Sequence, residues 1–196
     1  MASHDPRPPA REPAFNLPPV VVQLLAVLAL IHAGRSLLSD YNDYVVMSWF
    51  AFVPARLTLW LSPGRLDDVV GALAQSTVGQ DVGDRLQLVQ LLLADGGVRL
   101  WTLLSYGFLH GSWLHLASNG LWLAAFGSPV ARRLGRGRFL NLMALATIGG
   151  ALLHWWSREL DVLPLVGASA GISGATAAAI RFVFAPGLRF GDLGDD

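Results

Sequence analysis

The sequence predicts an all-α fold, a helix bundle that crosses a membrane several times. Three observations predict it. Hydrophobic residues make up 53% of the chain and charged residues only 14%, where a soluble domain carries about a quarter charged. Uncharged runs cover residues 13–34, 100–131 and 139–157, each close to or above the ~20 residues that span a bilayer as helix. The charged residues gather in the stretches between these runs, as loops that meet water require.

The same totals exclude several functions. Net charge is zero, so nothing suggests a nucleic-acid partner. There are no cysteines, hence no disulfide framework, thiol nucleophile or cysteine metal site. There are no lysines either, and all 14 basic residues are arginine, which excludes a serine–lysine dyad within the chain. No metal or organic cofactor is implied.

Residues 1–16 are polar and proline-rich and read as a disordered cytoplasmic tail. A membrane domain is expected over 17–188, with a polar end at 189–196. The first span is placed at 17–37, with Pro18 and Pro19 suited to a first helical turn. A signal peptide is the alternative; the missing small-residue cleavage pattern and the later spans argue against it. His32 near the end of this span reads as structural or interfacial.

Residues 35–99 form a long first loop. Residues 44–53 and 57–61 are apolar but too short to span, so they are expected to lie at the interface with Trp49 and Trp60 as anchors. Pro54, Pro63 and Gly64 break them up, and residues 86–94 are compatible with a short surface helix.

The run 100–131 is too long for one plain span. Its first ten residues are expected to enter as irregular chain, tolerated at membrane depth only against protein or a water-filled cavity. The second span is then 111–127, ending at Gly127-Ser-Pro129. Arg132, Arg133, Arg136 and Arg138 follow, the densest basic loop of the chain and therefore expected inside. The third span is 139–157, where Gly149 and Gly150 permit close helix contact. Arg158, Glu159 and Asp161 mark the outer surface. The fourth span is 167–185, with Arg181 reaching the inner face. The N-terminus then lies inside, and His115, Asn119 and Ser169 all lie toward the outer side.

Polar groups within an uncharged run are costly unless satisfied or used. His110, His115 and Asn119 stand in such a run. His115 and Asn119 are i, i+4 and share one helix face. Ser169 stands among Gly167, Ala168, Ala170 and Gly171 at the head of the fourth span. A hydroxyl facing imidazole and amide donors has the makings of a nucleophile beside an oxyanion site. Ser173 is the rival nucleophile, one turn on in a Gly-Ile-Ser-Gly context. The plain alternative is that Gly-Ala-Ser-Ala-Gly serves only tight helix packing.

At these residues the sequence resembles the rhomboid intramembrane serine proteases. The likeness runs through Arg99-Leu-Trp-Thr102, Phe108-Leu-His-Gly-Ser-Trp-Leu-His-Leu-Ala-Ser-Asn119, Gly135-Arg-Gly-Arg-Phe-Leu140 and Val166-Gly-Ala-Ser169. Phe50-Ala-Phe-Val-Pro-Ala-Arg56 is similar to the first loop of bacterial members. The resemblance covers residues 17–185. It implies Ser169 as nucleophile, His115 and Asn119 as oxyanion stabilisers, and His110 as a support for the site and its water. It also implies transmembrane segments of other proteins as substrates, and the bacterial inner membrane as location, with the site toward the periplasmic or outer face.

Two departures follow. The pair after the serine reads Ala170-Gly171 where the family has glycine then alanine. The family's general base is a histidine on the sixth helix of its core, and the sequence has about four spans, so the chain is expected to be truncated after the fourth. No general base is identified; His154, near the outer end of the third span, is a weak substitute, and His4 stands in the tail. The expectation is a rhomboid-type serine endopeptidase that is inactive alone. The alternatives are an inactive rhomboid-like protein that binds transmembrane helices, and an unrelated membrane scaffold or transporter.

Overall fold

The computed structural model describes residues 17–75 and 97–184. The expected tail at 1–16, surface helix at 86–94 and polar end at 189–196 lie outside the described residues. What is described is all-α.

Helix α1 covers Pro19–Ser36. Pro19 occupies its first turn, where a missing N–H costs nothing. Helix α2, Asp40–Phe50, is capped by Ser39, whose side chain accepts from the Asn42 N–H, and Asp40 and Asp43 complement its positive end. Pro54 both ends the extended segment after α2 and opens α3, Pro54–Leu61. A single turn at Pro63–Arg65 leads into α4, Leu66–Gln75, which buries Val69 and Leu73.

The chain from Arg99 enters as short helical pieces rather than extended backbone. Helix α5 is Thr102–Ser105, and a tight turn covers Tyr106–Phe108. Helix α6, Trp113–Trp122, is followed by a π-helical segment at Leu123–Gly127 and by α7, Ser128–Ser157. Helix α8 is Ser169–Phe184.

The end of the second span's helix needs correcting. The helix was expected to end at Gly127-Ser-Pro129, but helical backbone continues through these residues. The π segment absorbs the irregularity, as such one-turn insertions do, and Pro129 falls in the first turn of α7, where its ring is tolerated. The break lies instead at Gly135, with φ +77° and ψ 167°, a conformation open to glycine. The chain folds back there. A methyl carbon at Gly127 would lie 3.3 Å from Phe139 Cζ, although twelve residues of straight helix would separate them by about 18 Å.

Among the described residues, two helical stretches are long and apolar enough to cross a membrane: Pro19–Ser36 and Trp113–Ser157, the latter containing the Gly135 break. Helix α8 is apolar but has 16 residues.

One core cluster joins α1, α6, α7 and α8 through Val21, Leu28, Leu123, Phe139 and Ile172. The first loop is tied onto this bundle by its backbone. Arg99 Nη1 donates to Ser48 O at 2.7 Å, and Arg56 Nη1 donates to the same carbonyl. Trp101 Nε1 donates to Trp49 O, and Ser105 Oγ to Phe50 O. Phe52 and Leu165 exchange two backbone hydrogen bonds, of 3.2 and 2.7 Å, in an isolated antiparallel bridge. The bridge fixes the segment that leads into Gly167. Trp49 and Trp60 are exposed.

Candidate active site

The site is built on the start of α6. Ser112 caps that helix, its Oγ accepting from His115 N at 3.1 Å, so the helix begins beyond Gly111 and carries His115 in its first turn. Asn119 is one turn on. His110 precedes the cap and is 1% exposed. Its ring stands edge-on to that of His115, with centroids 5.1 Å apart and planes at 69°. Asn119 is 6% exposed, and its Nδ2 is buried with no hydrogen-bond partner among the described residues; both ring nitrogens of His110 are buried too, beside the Phe108 backbone. Such groups cost free energy unless something engages them.

Gly167 lies against this face. Its φ is +124°, in the region that favours glycine. A methyl carbon there would sit 2.8 Å from His115 Cε1, 2.9 Å from His115 Nε2 and 3.6 Å from Asn119 Nδ2. No side chain fits. The residue is also held by its backbone, because Gly167 N donates to Tyr106 O at 3.0 Å. Tyr106 is itself fixed, 1% exposed, with its hydroxyl donating to Thr147 O at 2.8 Å.

Ala168 O accepts from Ile172 N and so begins α8. Ser169 is its first residue and is exposed; Ser173, one turn on, is exposed as well. The structure therefore brings His115, Asn119 and Gly167 into contact, with Ser169 two residues further along and His110 behind His115. His154 is half-buried in the last turn of α7.

The swapped pair after Ser169 has a packing explanation. Gly150 meets Ala170, because a Cβ at Gly150 would collide with Ala170 Cβ. A methyl at Gly171 would lie 2.8 Å from Thr147 Oγ1 and 3.2 Å from Met143 O. The alanine and glycine thus match the small and large residues that α7 offers opposite them. Gly149 makes no such contact.

A mostly apolar cavity of about 230 Å³ opens beside Ala168, walled by Leu24, Leu28, Phe108, Leu123 and Met143 among others. Among the described residues, no three His, Cys, Asp or Glu side chains are grouped to hold a metal ion.

Sequence reasoning missed the contacts of Tyr106 and Arg35. A tyrosine inside an uncharged run was the available signal for the first. The second is a long-range contact with no local signature.

Comparison with known proteins covers the same region. The Rhomboid domain family matches residues 98–188. Rhomboid protein 1, mitochondrial, of Saccharomyces cerevisiae is 36% identical over 90 residues, 46% of this chain and 26% of that protein. The rhomboid protease GlpG of Serratia proteamaculans is 34% identical over 97 residues, 50% of this chain and 32% of that protein. GlpG of Yersinia enterocolitica is 32% identical over 97 residues, with the same coverage. The matched part thus spans about a third or less of the length of these relatives. No solved structure matches. The chain is thus similar to rhomboid proteins over the part that carries the polar face, in a fold whose described residues are all-helical and include two apolar candidate spans.

Proposed function

We propose that this chain carries the nucleophile and oxyanion face of a rhomboid-type serine endopeptidase acting on transmembrane segments. Ser169 Oγ attacks the scissile carbonyl. His115 and Asn119, with N–H groups at the start of α8, stabilise the oxyanion. His110 supports them. Each well-placed oxyanion donor is worth about 3 kcal/mol in serine hydrolases, and unpaired N–H groups are available at any helix start.

The observation that carries the reading is the contact of Gly167 with His115 and Asn119. It sets the head of α8 against His115 and Asn119, on a mostly apolar helix. A side chain kept only for structure is expected to have its nitrogens paired. Asn119 Nδ2 is buried with no hydrogen-bond partner among the described residues. The apolar cavity beside Ala168 suits an apolar substrate side chain.

In this reading α1, the two arms of the hairpin on either side of Gly135, and α8 each cross the bilayer. The arginine-rich turn at Arg132–Arg138 is inside and the site toward the outer face. No histidine of this sequence is assigned as general base. A serine hydroxyl without one is a poor nucleophile, so a histidine on a further helix is required.

The test is cleavage of a model transmembrane substrate in liposomes. The 196-residue chain alone is expected not to cleave it. Joined to a histidine-bearing helical segment from a related protease, it is expected to cleave, and Ser169→Ala to abolish that activity. Cleavage kept in Ser169→Ala but lost in Ser173→Ala reverses the nucleophile assignment. A folded fusion that crosslinks the substrate helix without cutting it supports the helix-binding alternative instead.

A further inference from the structure

Helix α1 ends beside the candidate site with two polar side chains one turn apart. His32 is 7% exposed in a helix otherwise almost wholly apolar. Its ring meets Trp113, the first residue of α6, edge-on at a centroid distance of 4.5 Å. Its Nδ1 is buried without a hydrogen-bond partner among the described residues. A phenylalanine would pack against Trp113 as well; what histidine adds is its nitrogens, which are costly to bury for packing alone.

Arg35 follows at i+3 and shares that face. Its Nη1 donates to the His110 carbonyl at 2.9 Å. Its Nε and Nη2 donate in parallel to the two carboxylate oxygens of Asp43 on α2, at 2.8 and 2.9 Å. A forked pair of this kind fixes the guanidinium plane as well as its charge. The titratable and charged groups in the surroundings of His110 are His115 of α6 and, from α1, His32 and Arg35.

We propose that His32 and Arg35 are positioning residues of the candidate site. Asp43 aims Arg35, Arg35 fixes the backbone of His110, and His32 packs on Trp113, the residue that opens α6 three positions after His110. The outer end of α1 is then part of the polar machinery, reached through His110 rather than through substrate. The inference rests on reading His110, His115 and Asn119 as the polar face of the site.

The experiment uses the full chain with ¹⁵N-labelled histidine in phospholipid nanodiscs. Imidazole ¹⁵N spectra are recorded between about pH 5 and 8, the range in which histidine titrates. His32→Phe, which keeps the packing and removes the nitrogens, is expected to move the His110 and His115 resonances and leave those of His154 in place. Arg35→Gln is expected to move His110 likewise. Arg35→Lys is expected not to restore it, since the charge returns without the fork. Unchanged His110 and His115 spectra in folded His32→Phe and Arg35→Gln overturn the proposal. Should His32→Phe fail to fold, His32→Gln is read by the same two outcomes. No proteolysis is needed. Shifted spectra together with a failed Ser169 test count against the protease reading alone, and unshifted spectra beside a successful Ser169 test count against this inference alone.

Discussion

Helix α8 makes two contacts of opposite character. Toward α7 it is dry and close-packed: Ala170 on Gly150, Gly171 on Thr147 and Met143, and Gly174 on Ala146. Toward α6 its leading residues meet His115 and Asn119, a polar face with an unpaired amide nitrogen. One run of small residues, Gly167 to Gly174, serves both. The close packing belongs to Ala170, Gly171 and Gly174, and the polar contact to Gly167 just before the helix.

The largest expected effect lies on the polar side. Gly167→Ala places a left-handed backbone on a residue that resists it, costing about 1–3 kcal/mol, and drives a methyl into the His115 ring. A lowered midpoint of thermal unfolding in detergent, with His115 resonances displaced, is the expected result. A variant as stable as wild type would show that α8 does not press on α6 as described.

Gly174→Ala probes the dry side. The added methyl meets Ala146 Cβ on α7, an overpacking expected to cost about 1–3 kcal/mol. Here stability should fall while the histidine spectra stay put. Displaced His115 signals would mean that the two faces of α8 are not separable.

The smallest effect is expected at Gly149, the neighbour of Gly150 that touches nothing within 4 Å. Gly149→Ala should stabilise α7 by up to about 1 kcal/mol through helix propensity, read by the same unfolding measurement. A loss of stability would reveal a close contact at this position.

Much of this was legible in the sequence, for local reasons. The uncharged run before Arg35 gives α1 to within a few residues. Ser112 three residues before His115 is a readable helix start, and the spacing of His115 and Asn119 puts both where one neighbour can meet them. The end of the helix before the basic loop was misplaced because Gly127-Ser-Pro129 carries the usual stop signals. A π segment and a first-turn proline leave those signals without effect, and Gly135, within the expected basic loop, turns the chain. The hydrogen bond from Arg35 to the His110 carbonyl was illegible because its partners are 75 residues apart. No periodicity encodes such a contact.

The two-bond bridge between Phe52 and Leu165 has a mechanical consequence. It pins the first loop to backbone only four residues upstream of Ser169. A load placed on α3, such as a bound antibody fragment would apply, therefore has a direct backbone path to the segment that leads into Gly167.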